Sequence, residues 1–379
     1  MDLFNSILVG LPVFVILLGP LMFIHEMGHF LAAKKAGIRV EEFGMGLPPR
    51  ALRLFKRGET EYTLNWLPFG AFVRMTGEED PSDPRSFAAQ SKRWRLATLA
   101  AGPFMNFLGG FVILTLAYLF FATQPTEFQY RINSVMVGSP AERLGLRPGD
   151  VILSVNGVDM IQRIDPESRE QPEVSSLRSQ TRQSIGKDIT IVVLRAVEGA
   201  AQPQAVTLTG RIPADANPNA PLGVSLTFDI TKSARIPYSI PEAVAAAAND
   251  IAGIFIALVR LPGELISQNI PLEQARPVGV VGITSIGVSL VDERITETQG
   301  LLPFLRFAGF ISIMLGLTNL LPIPALDGGR ILFILIEAIR GRRVDPRREQ
   351  WVHAVGMVIL LSLSAVIVVM DIVQPITIR

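Results

Sequence analysis

The stretch Phe23-Ile24-His25-Glu26-Met27-Gly28-His29-Phe30 contains the pattern H-E-x-x-H inside an apolar segment. Residues four apart lie on one face of a helix, so His25 and His29 can direct imidazole nitrogens at one metal ion. Glu26 can reach a water molecule bound to that ion. Zinc takes nitrogen and carboxylate ligands and, in catalytic sites, keeps one position open for a water whose pKa it lowers to roughly 7. The pattern therefore predicts a catalytic zinc site.

H-E-x-x-H also occurs by chance, as an ordinary polar face of a helix. Here residues 3 to 24 carry no charged side chain, and residues 7 to 24 are almost wholly apolar. Two imidazoles and a carboxylate are costly in hydrocarbon unless they have a partner. The surroundings therefore favour metal binding over an unliganded structural role.

The composition is that of a membrane protein. Of 379 residues, 49% are hydrophobic and 18% are charged, which is a low charged fraction for a soluble domain. The net charge of +1 gives no reason to expect nucleic acid as a partner, and the lack of cysteine excludes disulfides and thiolate metal ligands. The N-terminal apolar run lacks a preceding basic region and is too long for a signal peptide, so it predicts a retained helix.

Four segments are long and apolar enough to cross a bilayer, which takes about 20 residues. They are Ile7–Ala33, Leu96–Thr123, Phe307–Leu326 and Val352–Met370. The loop between the first two contains eleven basic residues: Lys34, Lys35, Arg39, Arg50, Arg53, Lys56, Arg57, Arg74, Arg85, Lys92 and Arg93. The loop between the last two contains Arg340, Arg342, Arg343, Arg347 and Arg348. The positive-inside rule places both loops in the cytoplasm.

The first cytoplasmic loop predicts a β-hairpin region. It contains β-like runs at 38–43, 51–56, 62–66 and 71–75, and Arg57-Gly58 is a plausible hairpin turn. The segment Leu64–Gly70 is apolar for such a loop. Two interpretations are open: the segment dips into the membrane surface, or it belongs to an ordinary small sheet packed on the helices.

The long segment after the second span begins as a small β-rich domain. Ser139-Pro140-Ala141-Glu142 is a capping box with Pro at the first helical position, and Gly145 can end that helix. Asn156-Gly157 is a strong hairpin turn signal. Further strands are predicted at 129–137, 151–155, 189–195 and 205–211, with a polar helix at 172–185. The run from Gly138 to Ile152 resembles the signature of PDZ domains, which implies a groove for an extended peptide or chain end. The alternative is a steric cover with an empty groove.

The segment between this domain and the third span contains a second capping box, Ser239-Ile240-Pro241-Glu242. Its helix runs to about Leu261, but Asn249 and Asp250 interrupt the apolar residues and leave Ile251–Val259 as the longest clean run. Nine residues cannot span a bilayer, so the pattern predicts an interfacial amphipathic helix. A Gly-rich linker follows it.

A third zinc ligand is needed, and Asp327 is the strongest candidate. It ends twenty uncharged positions from 307 to 326. Pro322 and Pro324 predict a break in the helix, because an unbroken helix to Arg340 would reach about 50 Å. His353, the remaining histidine, is expected at the cytoplasmic interface. The alternative for Asp327 is a cap for the short helix that follows it.

Together these motifs resemble the site-2 protease family, in particular bacterial membrane-embedded zinc metalloproteases that cut anti-sigma factors. The motifs are H-E-x-x-H in the first span, the PDZ signature, and N-x-x-P-x-P-x-L-D-G from Asn319 to Gly328. Residues 44–48 and 101–107 also look like family motifs. The resemblance implies that His25, His29 and Asp327 bind Zn²⁺ and that Glu26 is the general base. It suggests that Asn319 contacts substrate, whereas a helix C-cap is its structural alternative. Better-studied members have two tandem PDZ domains, and one is found here.

The fold class is therefore a polytopic α-helical membrane protein with four transmembrane helices, a cytoplasmic-side β-hairpin region and one extracytoplasmic PDZ (α+β) domain. The segments are a first transmembrane helix (1–34), a cytoplasmic β-rich loop (35–94), a second transmembrane helix (95–124), the PDZ domain (127–230), an amphipathic helix with Gly-rich linker (236–298), a third transmembrane segment (300–340) and a fourth transmembrane helix (351–372).

The resemblance implies an intramembrane zinc metalloprotease in the bacterial inner membrane, with its active site toward the cytoplasm. Expected substrates are single-span membrane proteins, either anti-sigma-factor-like or signal-peptide remnants, which enter between spans and partly unwind. The PDZ domain would exclude large ectodomains, so substrates would be trimmed beforehand. The other expected contacts are membrane lipid and a peptide ligand of the PDZ groove. Rival functions are a catalytically inactive PDZ scaffold, which has no need of Glu26, and a metal transporter, which would need further intramembrane carboxylates.

Overall fold

The computed structural model describes residues 3–163, 175–196, 203–236, 238–267, 277–291 and 300–374. The chain forms two compact units, and each is described by itself. The first unit consists of residues 1–120, 238–293 and 301–379, and the second of residues 121–237 with 294–300.

The described helices are α1 (Leu3–Lys35), α2 (Lys92–Phe121), α3 (Pro140–Leu144), α4 (Ser175–Gln183), α5 (Ile240–Ile266), α6 (Val280–Leu290), α7 (Leu302–Leu320), α8 (Asp327–Arg340) and α9 (Pro346–Val373). The described strands are β1 (Val40–Arg57), β2 (Thr60–Met75), β3 (Thr123–Val135), β4 (Val151–Val155), β5 (Val158–Asp159), β6 (Gln162–Arg163), β7 (Asp188–Arg195), β8 (Gln204–Arg211) and β9 (Val224–Arg235).

Among the described residues, five helices are long and apolar enough to cross a membrane: α1, α2, α5, α7 and α9. Four of them coincide with the predicted spans. The third span was predicted to reach Leu326, but α7 ends at Leu320. The helix stops there because Pro322 restricts the residue before it to an extended conformation, and Leu321 has φ −61° and ψ 139°.

The fifth helix, α5, begins at the predicted capping box and ends five residues beyond the predicted end at Leu261. It is long enough to span, unlike the nine-residue run on which the prediction was based, and its interfacial placement stays a prediction. It has 27 residues and is therefore about 40 Å long. Asp250, which interrupts the apolar sequence, lies within the helix, and its carboxylate has partners on two other helices. Arg306 of α7 donates to it twice, at 2.8 and 2.9 Å, and the Tyr118 hydroxyl of α2 donates at 2.8 Å.

The Gly-rich stretch predicted as a linker contains a helix, α6; residues 268–276 and 292–298 of that predicted segment lie outside the described residues. Gly287 lets α6 approach α1, since a Cβ there would lie 3.0 Å from the Val13 side chain. The helix begins against Asp371 of α9. The buried carboxylate of Asp371 accepts the backbone N–H groups of Gly279 at 3.0 Å and Gly282 at 2.8 Å, which caps the helix from another element.

β1 and β2 form a two-stranded antiparallel sheet in the first unit. Apart from residues 38 and 39, which precede β1, the four predicted runs lie within two continuous strands. The predicted turn is confirmed, with Gly58 at φ 62°. The ring of Phe43 packs on Phe23 and Phe30 of α1, with centroids 5.4 and 5.3 Å apart. Trp66 and Leu67 are exposed. Packing on α1 therefore explains the apolar side chain of Phe43, near the start of β1. It does not explain the apolar side chains of Trp66 and Leu67, which are exposed.

The second unit contains a seven-stranded sheet in which β6-β3-β4-β7-β8 are neighbours, β5 pairs with β4, and β9 pairs with β3. Its buried core includes Tyr130, Ile152 and Ile191. The predicted capping box is confirmed, because Glu142 N–H donates to Ser139 Oγ at 3.2 Å and Gly145 ends α3 at φ 79°. The Asn156-Gly157 turn is also confirmed, with φ 51° and 77°. The start of the predicted polar helix, 172–174, lies outside the described residues.

Replacement of Asp371 by Ala is expected to lower the apparent free energy of unfolding in detergent by about 1–3 kcal/mol, because it leaves two backbone N–H groups without an acceptor. Asp371→Asn keeps one acceptor oxygen and should lose clearly less. Thermal unfolding of the purified variants measures both effects. Equal stability of the Ala variant and wild type would contradict the cap.

Candidate metal centre

The first two side chains of the centre come from one face of α1. His25 and His29 are 8% and 6% exposed. Their Nε2 atoms are 3.1 Å apart, and their ring centroids are 4.8 Å apart. The i, i+4 spacing in a continuous helix produces this pairing.

The third side chain comes from the loop between α7 and α8. This loop, residues 321–326, turns back at Ala325, whose φ is 79°, and α8 begins at Asp327. The turn is tight: a Cβ at Gly328 would overlap the Leu321 carbonyl oxygen, and a Cβ at Gly329 would overlap that of Ile323. Only glycine leaves room for these contacts, and they place the Asp327 carboxylate at the imidazoles.

Asp327 Oδ2 lies 3.1 Å from His25 Nε2 and 3.3 Å from His29 Nε2. The three side chains form a group that could hold a metal ion. In tetrahedral geometry, ligand atoms bound to zinc at roughly 2.0–2.1 Å lie about 3.3 Å apart. The separations in this triangle are close to that value, so the donor set fits zinc with one position left open.

The protonation of His29 supports the same fit. Its Nδ1 lies 2.8 Å from the carbonyl oxygen of Thr98 on α2, and only an Nδ1–H can donate to that acceptor. Nε2 of the neutral ring then directs a lone pair at Asp327 Oδ2, which is buried and has no hydrogen-bond donor among the described residues. A zinc ion placed between these lone pairs would accept them as ligands.

Asn106 of α2 is the corresponding partner of His25. Its amide nitrogen is placed 3.0 Å from His25 Nδ1, while its Oδ1 is buried and has no hydrogen-bond partner among the described residues. Exchange of the amide oxygen and nitrogen, which are distinguished only through their hydrogen bonds, lets Oδ1 accept from Nδ1–H. Asn106 would then orient His25 as the Thr98 carbonyl orients His29.

Two glycines bring α1 and α2 together at the site. A Cβ on Gly28 would overlap the Ala101 carbonyl oxygen, and a Cβ on Gly102 would overlap His29 Nε2. The Gly102 position would also place a Cβ 2.9 Å from His25 Cε1. The absence of a side chain at Gly102 therefore keeps space beside the two imidazole nitrogens.

The two other predicted site residues are Glu26 and Asn319. The Glu26 carboxylate is within electrostatic reach of His25, His29 and Asp327, and it lies at the backbone of Val73 on β2. Asn319 occupies the last turn of α7, where its amide donates to the Leu315 carbonyl at 2.9 Å. The structure therefore brings Glu26 to the three-residue cluster and places Asn319 before the loop that carries Asp327.

Sequence reasoning assigned no role to Thr98, Gly102 or Asn106. A signal was available for two of them, since Gly102 and Asn106 lie in the 101–107 run that resembles a family motif. Asn106 is also an amide side chain in an otherwise apolar span. Thr98 acts through its backbone carbonyl, which no residue type reveals.

Comparison with known proteins identifies relatives along almost the whole chain. The family model described as peptidase family M50 matches residues 13–363. A protein of Clostridium perfringens that carries a zinc metalloprotease name is 30% identical over 94% of this chain and 96% of its own length. The regulator of sigma-W protease RasP of Bacillus subtilis is 28% identical over 95% of this chain and 97% of its own. The zinc metalloprotease RasP of Bacillus licheniformis is 27% identical over the same shares.

Gly102→Ala is expected to weaken zinc binding on the order of tenfold or more, because the added methyl group displaces the imidazoles. Gly19→Ala on α1 is the matched control, since its Cβ would meet nothing closer than 4.0 Å. Zinc content after dialysis against a graded chelator series measures both variants. Equal zinc retention by Gly102→Ala and Gly19→Ala would contradict the close contact.

Proposed function

The chain belongs to peptidase family M50 and is a zinc metalloprotease, and from this premise we propose that it cuts peptide bonds inside the membrane. The observation that carries the proposal is the triangle that buried His25 and His29, on the long apolar helix α1, form with the half-buried Asp327. We propose these three residues as the zinc ligands. A scaffold that only holds partners has no use for this donor set beside Glu26.

Zinc at this site would supply a Lewis acid for the scissile carbonyl and an acidified water. Glu26 accepts a proton from the attacking water and delivers it to the departing amine nitrogen. Thr98 and Asn106 hold the two imidazoles in the orientation that the site requires. We retain Asn319 as a substrate contact, because it lies in the last turn of α7, directly before the loop that bears Asp327.

The membrane topology that we propose has four crossings, formed by α1, α2, α7 and α9. The positive-inside rule places the loops before α2 and before α9 on the cytoplasmic side. This requires α7 to run in the same direction as α1, which is also the direction that brings Asp327 to the depth of His25. A crossing by α5 would reverse α7. We therefore propose that α5 does not cross, although its length permits a crossing.

The second unit then lies outside the cytoplasm, where we propose that residues 127–230 act as a PDZ domain. Within that unit, a groove of about 90 Å³ is lined by Leu177 and Thr181 of α4, by Leu222 and Gly223 just before β9, and by Val224, its first residue. A groove between a helix and a strand suits an extended peptide end. A peptide terminus produced by an earlier cut is the ligand that we propose.

The substrate class follows from these placements. A site within the bilayer acts on transmembrane segments, and a folded domain outside the membrane admits only substrates that lack a large ectodomain. We propose single-span proteins that were trimmed beforehand, either of the anti-sigma-factor kind or remnants of signal peptides. The name of the Bacillus subtilis relative, regulator of sigma-W protease, supports the first kind.

Glu26→Gln is expected to retain zinc and to lose cleavage of a model single-span peptide by roughly 10²–10⁴-fold, because the amide cannot accept the proton. Glu59→Gln is the matched control, as Glu59 is exposed and pairs with Arg85 at the end of the β1–β2 sheet. Purified protein in detergent, assayed for zinc and for product by mass spectrometry, gives both readings.

Full cleavage by Glu26→Gln would exclude Glu26 as the base. The same assay, with the substrate's ectodomain intact or removed and the enzyme reconstituted in vesicles, tests the proposed gate. Equal cleavage of the two substrates would exclude it.

Ser267→Cys, at the end of α5, is expected to react with a membrane-impermeant thiol reagent added outside intact cells, because α5 does not return to the cytoplasm. The chain has no native cysteine, so each introduced thiol is unique. Ser179→Cys on α4 is the outside control, and Ser91→Cys before α2 is the cytoplasmic control. Labelling of position 267 only after cell lysis, as for position 91, would show that α5 crosses.

A further inference from the structure

The α7–α8 loop that carries Asp327 is attached to α9 through His353. The Ala325 backbone N–H donates to His353 Nδ1 at 2.9 Å. His353 was expected at the cytoplasmic interface with no assigned partner. Its ring instead lies between this loop and α8, with its centroid 5.4 Å from that of Phe333. A helix that supplies no ligand thus contacts the loop two residues before the proposed third ligand.

The loop needs an outside contact because its conformation is unfavourable for the residue at its apex. Ala325 has φ 79°, a left-handed conformation that costs a residue with a Cβ roughly 1–2 kcal/mol. Within the loop, the Ile323 N–H donates to Leu321 and the Leu326 N–H donates to Ile323. The Ala325 N–H donates to His353, outside the loop. That bond therefore opposes relaxation of the loop.

A second contact from the same face of α9 acts on the adjacent loop residue. Gly356 lies three residues after His353, which is one turn along the helix. A Cβ at Gly356 would lie 2.5 Å from Pro324 Cβ and 2.9 Å from the Pro324 carbonyl oxygen. His353 and Gly356 thus hold Pro324 and Ala325 in register against α9, one by a hydrogen bond and the other by close packing.

The hydrogen bond also defines the tautomer of His353. Because Nδ1 accepts, the proton of the neutral ring is on Nε2. Nε2 is buried and has no hydrogen-bond partner among the described residues. His353 also lines a small cavity, whose volume of about 20 Å³ holds about one water molecule. The cavity is also lined by Glu78, Glu79, Arg330 and Glu349. His353 is not a member of the His25, His29 and Asp327 cluster.

We propose that His353 is a positioning residue for the third metal ligand: α9 fixes the loop at Ala325, and the loop fixes Asp327 opposite His25 and His29. The inference rests on the proposed zinc site and extends it to an element outside that site. Partners of this indirect kind typically change metal affinity 10–100-fold. His353 therefore controls how tightly zinc is held without touching it.

The test measures zinc affinity of the full chain in detergent by competition with a fluorescent chelator. His353→Ala is expected to weaken zinc binding 10–100-fold. His353→Asn places a carbonyl oxygen near the former Nδ1 position and should stay within a few-fold of wild type. Gly356→Ala keeps His353 but pushes on Pro324, so its zinc affinity should also fall. Val352→Ala, on the exposed neighbouring position of α9, is the control and should match wild type.

Thermal unfolding of the metal-free variants distinguishes positioning from folding. Positioning predicts that the metal-free melting temperature changes little, while the stabilisation by added zinc shrinks in His353→Ala and Gly356→Ala. A zinc affinity of folded His353→Ala equal to that of wild type would overturn the inference. If His353→Ala does not fold, the other two variants decide. The inference is overturned if Gly356→Ala binds zinc as tightly as wild type does. It is also overturned if His353→Asn binds zinc as weakly as Gly356→Ala does. If Asp327→Ala also binds zinc like wild type, the proposed metal site itself fails.

Discussion

The structure depends on three electron-pair donors that meet in an apolar environment. Asp327 Oδ2 and the two Nε2 atoms lie 3.1 to 3.3 Å from one another. Such groups repel each other, and hydrocarbon offers them no solvation. A bound cation turns this repulsion into coordination. Charge compensation at this point, by zinc in the function proposed above, is therefore the constraint on the first unit.

Glycines in the surrounding helices and loop allow the three groups to approach one another. Gly28 and Gly102 let α1 and α2 approach until the Thr98 carbonyl and the Asn106 amide reach the imidazoles. Gly328 and Gly329 let the α7–α8 loop fold tightly before Asp327. Small residues in membrane helices serve such close approach, because packing rather than water exclusion drives helix association in lipid.

Sequence was sufficient where the signal is local. The i, i+4 histidines, the lone carboxylate after twenty uncharged positions, the capping box at Ser139 and the turn at Asn156-Gly157 each follow from short-range rules. It was insufficient where one element depends on a distant partner. The partner of Asp250 is Arg306, 56 residues away on another helix, and the start of α6 depends on Asp371, 89 residues away from Gly282. His353 could not be paired with Ala325, because a positive φ at alanine leaves no mark in the sequence.

The central claim is that Asp327 completes a zinc site with His25 and His29. X-ray absorption at the zinc edge of the full chain tests it most directly. The account predicts two imidazole nitrogens and one carboxylate oxygen at about 2.0–2.1 Å in wild type, with loss of the carboxylate contribution in Asp327→Asn. A zinc spectrum that is the same in wild type and Asp327→Asn would contradict the account.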